Sequence, residues 1–253
     1  MRPLRSALLL ASMAAPAACG GPATSPPVAS GPAASPVDAA TAGRIAGRVR
    51  FDGAAPAAEV VRISGDKDCV SLTGADQQPA EAILVGHDNA LRNVFVYVKT
   101  GLEKVTFPAP NEPVVIDQQK CRYVPRVVGV RVGQPLQVKN GDPLLHNVRA
   151  DPEVNQSFNQ GQPVQGMAYT HTFTTREVMV PIKCDVHGWM RAYVGALEHP
   201  YFAVTGDDGS FALPDLPPGT YTVEAWHERF GTQAKQVILG AKDSKDVDFT
   251  FAR

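Results

Sequence analysis

The sequence predicts an all-β protein. Short runs rich in Val, Thr and Phe recur along the chain, with turn clusters of Gly, Pro, Asn and Asp between them. Glycine and proline are both abundant, 22 of each in 253 residues, which suits many short strands better than long helices. The chain is 44% hydrophobic and 19% charged, enough apolar material for one or two packed domains. Its net charge of −1 provides no basic surplus for nucleic acid. After the N-terminus, no apolar run is long enough to span a bilayer as a helix.

The first residues read as a targeting segment. Arg2 and Arg5 form a basic start, Ala7 to Ala15 an apolar stretch, and Ala-Pro-Ala-Ala-Cys19-Gly a small-residue cleavage zone over residues 1–19. Ala15-Pro-Ala17 fits an ordinary A-x-A site, while Ala17-Ala18-Cys19-Gly20 resembles a bacterial lipoprotein signal in which Cys19 is lipidated. Pro16 departs from the aliphatic residue usual three places before that Cys. Both routes export the chain, to the periplasm or, with lipid, to the outer membrane. Residues 20–42, nearly all Gly, Pro, Ala, Ser and Thr, read as a disordered tether or a functionless tail.

The strands follow in order. Arg44 to Phe51 alternates and stops at Asp52-Gly53. Residues 52–90 are less regular, with one candidate at Val60 to Ser64. Arg92 to Lys99 is apolar on both faces, Val94, Val96 and Val98 against Phe95 and Tyr97, which marks a central strand. Val127 to Val132 and Pro135 to Lys139 flank the turn Gly133-Gln134, and Asn140-Gly-Asp-Pro143 is a further turn before His146. Residues 150–168 are polar and read as a loop. Thr170 to Thr174, Val178 to Cys184 and Met190 to Leu197 complete this middle region. Beyond it, Phe202 to Thr205 and Ser210 to Leu213 read as a hairpin around Asp207-Asp208-Gly209. Thr220 to Trp226 follows, and Ala234 to Leu239 with Val247 to Phe251 closes the chain as a last pair.

The chemistry concentrates in Cys184-Asp-Val-His187-Gly-Trp-Met190 together with His146. One thiolate, two imidazoles and a thioether are the ligand set of a blue-copper site, where sulfur favours Cu(I) and imidazole suits both oxidation states. The Cys-x₂-His-x₂-Met spacing lets one tight loop bring three ligands to an ion, leaving the fourth to another strand. Zinc fits less well, since its structural sites are built from Cys and His. With Cys184 assigned to metal and Cys19 lipidated or removed, Cys69 and Cys121 remain as a disulfide in an exported protein, or as two free buried thiols.

The stretch Val132 to Val148, with its Gly turn, strand ending in Asn140 and His146-Asn147 pair, resembles the first half of the copper site in cupredoxins such as plastocyanin and amicyanin, and Cys184-x₂-His187-x₂-Met190 has the spacing of the amicyanin loop. The resemblance implies one mononuclear type-1-like copper site in a Greek-key β-sandwich or barrel over residues 119–198. His146, Cys184 and His187 would be its strong ligands and Met190 its axial one. It also implies that Asn147 ties the two ligand segments together and steadies the thiolate. Asp185 and Trp189 depart from the family pattern. A carboxylate at 185 would lower the reduction potential, and the indole at 189 could shield the metal or alter the approach of Met190.

Ile45-Ala-Gly-Arg-Val, Val204-Thr-Gly-Asp-Asp-Gly-Ser-Phe-Ala-Leu and Leu216-Pro-Pro-Gly-Thr-Tyr-Thr-Val look like the carboxypeptidase regulatory-like domain, a small transthyretin-like β-sandwich without catalytic residues. Residues 43–118 and 199–253 would be its two parts, with the copper module inserted into it, fused along its edge or sharing its sheet.

The expected function is single-electron transfer between transient protein partners, with no substrate turned over, His187 as the exposed electron exit and Val186 and Trp189 as the docking patch. A periplasmic copper carrier or sensor is the alternative. A carbohydrate- or protein-binding module without redox role is another, and a Cys184 nucleophile with His187 or His146 as base a further one. His199 and His227 could hold a second ion; more simply, His199 caps a turn before Pro200 and His227 packs beside Trp226. His87 and His171 read as loop or strand-surface residues.

Overall fold

A computed structural model describes residues 36–253. The export segment 1–19, Cys19 and residues 20–35 of the expected tether lie outside the described residues. The remaining tether residues are built into the fold. Val37 packs on an apolar core, Asp38 closes a turn by accepting the Thr41 and Ala42 N–H at 3.0 Å, and Thr41 O accepts the Lys242 N–H.

The regular structure of the described chain is nearly all strand. In order it forms β1 (Gly43–Phe51), β2 (Val60–Arg62), α1 (Lys67–Thr73), β3 (Gln77–Pro79), β4 (Phe95–Thr100), β5 (Val114–Gln118), β6 (Tyr123–Val124), β7 (Val127–Arg131), β8 (Pro135–Asn140), β9 (His146–Ala150), β10 (Phe158–Gln162), β11 (Ala168–Thr172), β12 (Glu177–Lys183) and β13 (Arg191–Leu197). The last six strands are β14 (Phe202–Val204), β15 (Ser210–Leu216), β16 (Gly219–His227), β17 (Gly231–Leu239), β18 (Ser244–Asp246) and β19 (Phe249–Phe251).

Four main sheets stack as two sandwiches. In the first, β15-β1-β18, with β19 also on β1, faces β14-β4-β16-β17. Ile45, Val49, Val96, Val98, Val223 and Phe251 lie in the core between them. In the second, β10-β9-β12-β13-β7 faces β11-β8-β5-β6 around Ile116, Leu136, Val148, Ile182 and Val194. Since β14 pairs with β4, the second sandwich is inserted between two neighbouring strands of the first.

β4 shows why its sequence is apolar on both faces. Val96 and Val98 enter the first core, while Phe95 and Tyr97 point outward into a separate cluster with Val127, Met179 and Leu197 of the inserted sandwich. The two sandwiches are thereby packed sheet on sheet rather than hung on a linker.

Several sequence expectations change. Val114–Gln118 runs parallel to β8, so the inserted sandwich begins at β5 and not after residue 118. The first part of the irregular stretch after β1 does not join the first sandwich either, although Val85 and Ala90 at its end do. β2, α1 and β3 form a small unit whose Ile63 and Cys69 are buried in the second core. The polar loop 150–168 contains β10, which pairs with β9 through Phe158↔Ala150 to Gln162↔His146. β14 and β15 are not a hairpin: the first pairs with β4, the second with β1, and Asp207-Asp208-Gly209 connects opposite sheets. The closing strands also part, β17 to β16 and β19 to β1. β15 and β19 thus both take long-range places on β1.

The interface between the sandwiches is close-packed. A Cβ added at Gly195 would sit 2.6 Å from both Met179 Cε and Phe95 Cζ. Gly195→Ala should therefore cost roughly 1–3 kcal/mol through overpacking. An unchanged urea midpoint would contradict this account of the interface.

Candidate metal centre

The site forms at one end of the inserted sandwich, where two loops meet. His146 opens β9 directly after the Asn140-Gly-Asp-Pro turn, and Cys184 to Met190 is the loop between β12 and β13. Tyr123 joins the segments from below: its hydroxyl hydrogen donates to Asn147 O at 2.5 Å and lies 3.0 Å from Lys183 O. Asn147 joins them from the side, its Oδ1 accepting the Asp185 N–H at 2.5 Å. The Asp185 carboxylate in turn accepts from Asn159 Nδ2 at 2.9 Å and faces Arg149 at 3.6 Å. The Met190 N–H donates to His187 O at 2.8 Å and closes the loop as a turn.

Three donors converge inside. His146 Nδ1 and His187 Nδ1 are 2.9 Å apart, and Cys184 Sγ is 3.8 Å from His187 Nδ1. His146 is fully buried, His187 is 1% exposed and Cys184 3%. Met190, 1% exposed, is buried in the same core as Cys184.

Each imidazole is held from behind by a carboxylate. His146 Nε2 lies 2.9 Å from Asp142 Oδ2, and His187 Nε2 lies 3.1 Å from Asp66 Oδ2. An ionised carboxylate only accepts, so each Nε2 carries the hydrogen and each Nδ1 presents a lone pair. Nδ1 atoms 2.9 Å apart share a proton when one ring is protonated, and with both rings neutral they present two lone pairs to one cation beside the thiol sulfur. Metal–nitrogen bonds of about 2 Å meeting at one ion leave their nitrogens about 3 Å apart, so the donor set fits a metal.

The titration directions agree. Burial pushes the Cys184 thiol up, but hydrogen bonds from His146, His187 and the backbone N–H of Asn147 and His187 outweigh it, bringing it down to about 6. Burial also opposes a charge on His146, yet the Asp142 and Cys184 contacts hold it above the usual imidazole value. Burial likewise works against the Asp142 carboxylate, which stays below its ordinary range through His146 and the N–H groups of Cys121 and Lys120. Both directions favour a thiolate at Cys184 and a charge on His146, and a metal held there would displace that proton.

The covering side differs from the sequence expectation. His187 is not an exposed edge. Asp66 precedes α1, where its Oδ1 also accepts the Cys69 N–H at 2.8 Å as the helix N-cap. Cys69 on that helix is disulfide-bonded to Cys121, with Cα atoms 6.0 Å apart. The Sγ atoms of the bridge and a ring nitrogen of His187 all lie within 4.8 Å of one another. Trp189 completes the cover, its ring centroid 5.1 Å from that of His187 and its Nε1–H donating to Cys121 O at 3.1 Å. Trp189 thus shields His187 while anchored to the disulfide loop.

Asp66, Asp142, Tyr123 and Asn159 were not singled out in the sequence. Asp142 sits four residues before His146, a signal within reach; Asp66 is 121 residues from its histidine and left none. The extra histidines stay away from the centre. His199 lies 2.9 Å from Val98 O through Nε2 and accepts the Tyr201 N–H through Nδ1. His227 stacks on Phe230 with centroids 4.6 Å apart rather than beside Trp226, because neighbouring strand residues face opposite sides. His171 packs edge-on against Phe173, and His87 lies in a 3₁₀ turn.

Residues 192–252 match the family model of the carboxypeptidase regulatory-like domain, a span running from β13 through the C-terminal strands of the first sandwich. A search of curated proteins finds no match. Among solved structures, the chain is similar to an oxidised variant of amicyanin, at 24% identity over 40% of this chain and 97% of that one, with a TM-score of 0.31. It is similar to a purple cupredoxin from Nitrosopumilus maritimus, at 20% identity, 33% and 98% coverage and a TM-score of 0.29. It is also similar to the copper-containing nitrite reductase from Thermus scotoductus SA-01, at 18% identity and a TM-score of 0.33, covering 40% of this chain and only 26% of the reductase.

If the two carboxylates set the imidazoles, weakening one should be read in metal affinity. Asp66→Asn keeps an N-cap for α1 but presents a weaker acceptor to His187, so Cu(I) affinity in a chelator competition should fall about tenfold. Equal affinity would remove Asp66 from the site.

Proposed function

We propose that the chain is an exported type-1-like copper protein that carries single electrons between redox partners and turns over no substrate itself. The observation that carries this reading is the pair of carboxylate-held imidazoles aiming Nδ1 toward each other beside a buried thiolate. His146, Cys184 and His187 would hold one copper ion, with the Met190 thioether as a fourth donor. Bound there, copper supplies a one-electron couple, and donors of mixed softness suit both its oxidation states.

The protein's own part is to keep those donors still. Asn147 and Tyr123 lock the two ligand segments together, and the disulfide-anchored unit around α1 closes over His187. Such a closed site favours retention through many redox cycles over release to an acceptor, which speaks for an electron carrier rather than a copper carrier or sensor. Asp185 places a carboxylate beside the ligand loop and should lower the reduction potential.

Export is supported by the basic and apolar segment over residues 1–19 and by a disulfide pair suited to an oxidising compartment. Lipid at Cys19 would attach the body to a membrane of the periplasm. Val186, 46% exposed on the ligand loop, and half-buried Trp189 would form the surface met by a transient redox partner.

Adding Cu(II) to the metal-free protein should produce an intense visible sulfur-to-copper band that Cys184→Ser abolishes. Absence of the band, or its survival in the variant, would refute the reading.

A further inference from the structure

His187 has no open edge through which an electron could leave. Asp66 occupies its Nε2 side, the Cys69–Cys121 bridge lies against it, and the residue is 1% exposed. Trp189 is the aromatic side chain that both touches the His187 ring and reaches a surface recess. That recess is a cleft of about 440 Å³ between the β2–β3 hairpin, the ligand loop and the turn after β16.

The cleft is built for an anion. Arg122, Arg126, Arg191 and Arg229 line it. Two of these are neutralised in place: Arg126 pairs with Glu228 at 2.6 Å and Arg122 with Glu81 at 3.0 Å. Arg191 and Arg229 are exposed and make no ion pair among the described residues. Glu59 is the one lining carboxylate left against them, so positive charge is in surplus beside the Trp189 ring. The volume falls in the range of small-molecule sites, roughly 300–1,000 Å³.

We propose that this cleft binds a small anionic one-electron carrier and presents it to Trp189, making the indole the electron gateway to His187. The inference rests on the copper reading for its redox half. With copper held at the site, each encounter would pass one electron between carrier and metal, one oxidised as the other is reduced, with no bond made and no proton moved. Arg191 and Arg229 set the affinity, and Trp189 supplies the contact.

The binding half is testable on metal-free protein. In a Trp226→Phe background Trp189 is the sole indole, since the chain has two Trp. Hexacyanoferrate(II) should quench its fluorescence saturably, and Arg191→Ala with Arg229→Ala should weaken binding about tenfold. Ile238→Ala, exposed on β17 and away from the cleft lining, should leave binding unchanged. Linear quenching, equal saturation by cationic hexaamminecobalt(III), or an unaltered double variant would overturn the proposal. On copper-loaded protein, the double variant should slow oxidation of the reduced form by hexacyanoferrate(III) by a similar factor while the visible band stays intact. An unchanged rate would show that the cleft is not the gateway. Saturable anion binding in a protein that develops no copper band would instead refute the metal-centre reading and leave an anion site without a redox role.

Discussion

Two carboxylate–imidazole pairs, Asp142 with His146 and Asp66 with His187, are the constraint on which the site depends. A free imidazole can present either nitrogen and turn about its ring axis. A carboxylate at Nε2 removes both freedoms, and here it does so twice, leaving two lone pairs and a thiolate in a buried space. Such an arrangement is costly without a cation, because desolvated electron-rich groups repel. A charge on His146, which its Asp142 and Cys184 contacts favour, eases that repulsion beside the Cys184 sulfur.

The remainder of the architecture keeps those carboxylates in place. Asp142 is fixed by the N–H groups of Lys120 and Cys121 at 2.7 and 2.8 Å, so one arm of the disulfide loop reaches His146. Cys69 carries the other arm to α1, whose N-cap is Asp66. A single covalent bridge therefore stands behind both histidines, one through each cysteine. The first sandwich contributes rigidity from further away, through the packing of Phe95 and Tyr97 against Val127, Met179 and Leu197.

How much of this was legible follows from sequence distance. Cys184, His187 and Met190 are bound by short spacing in one loop, and His146 with Asn147 sits in a recognisable strand–turn context, so the convergence of His146, Cys184 and His187 could be anticipated. Cys69 and Cys121 emerged from parity once the other two cysteines were assigned. β4 was readable as central because both its faces are apolar. β10 was not, since Phe-Asn-Gln-Gly-Gln carries almost no apolar alternation and is held at an edge by backbone bonds to β9. The seven-residue α1 was missed although Asp66 and Gly74 stand at its ends as N-cap and C-cap. Burial of His187 was beyond the sequence, because its cover comes from a segment more than 100 residues upstream whose sheet membership had itself been misassigned.

The insertion explains why two resemblances interleave along one chain: β4 and β14 are neighbours in space, and everything between β5 and β13 is carried as an excursion from that edge. The central claim is that the converging donors are a single copper site, and X-ray absorption at the copper edge of the loaded protein tests it most directly. The account predicts one short copper–sulfur distance with two imidazole nitrogens. A shell of nitrogen and oxygen donors lacking that sulfur would contradict it.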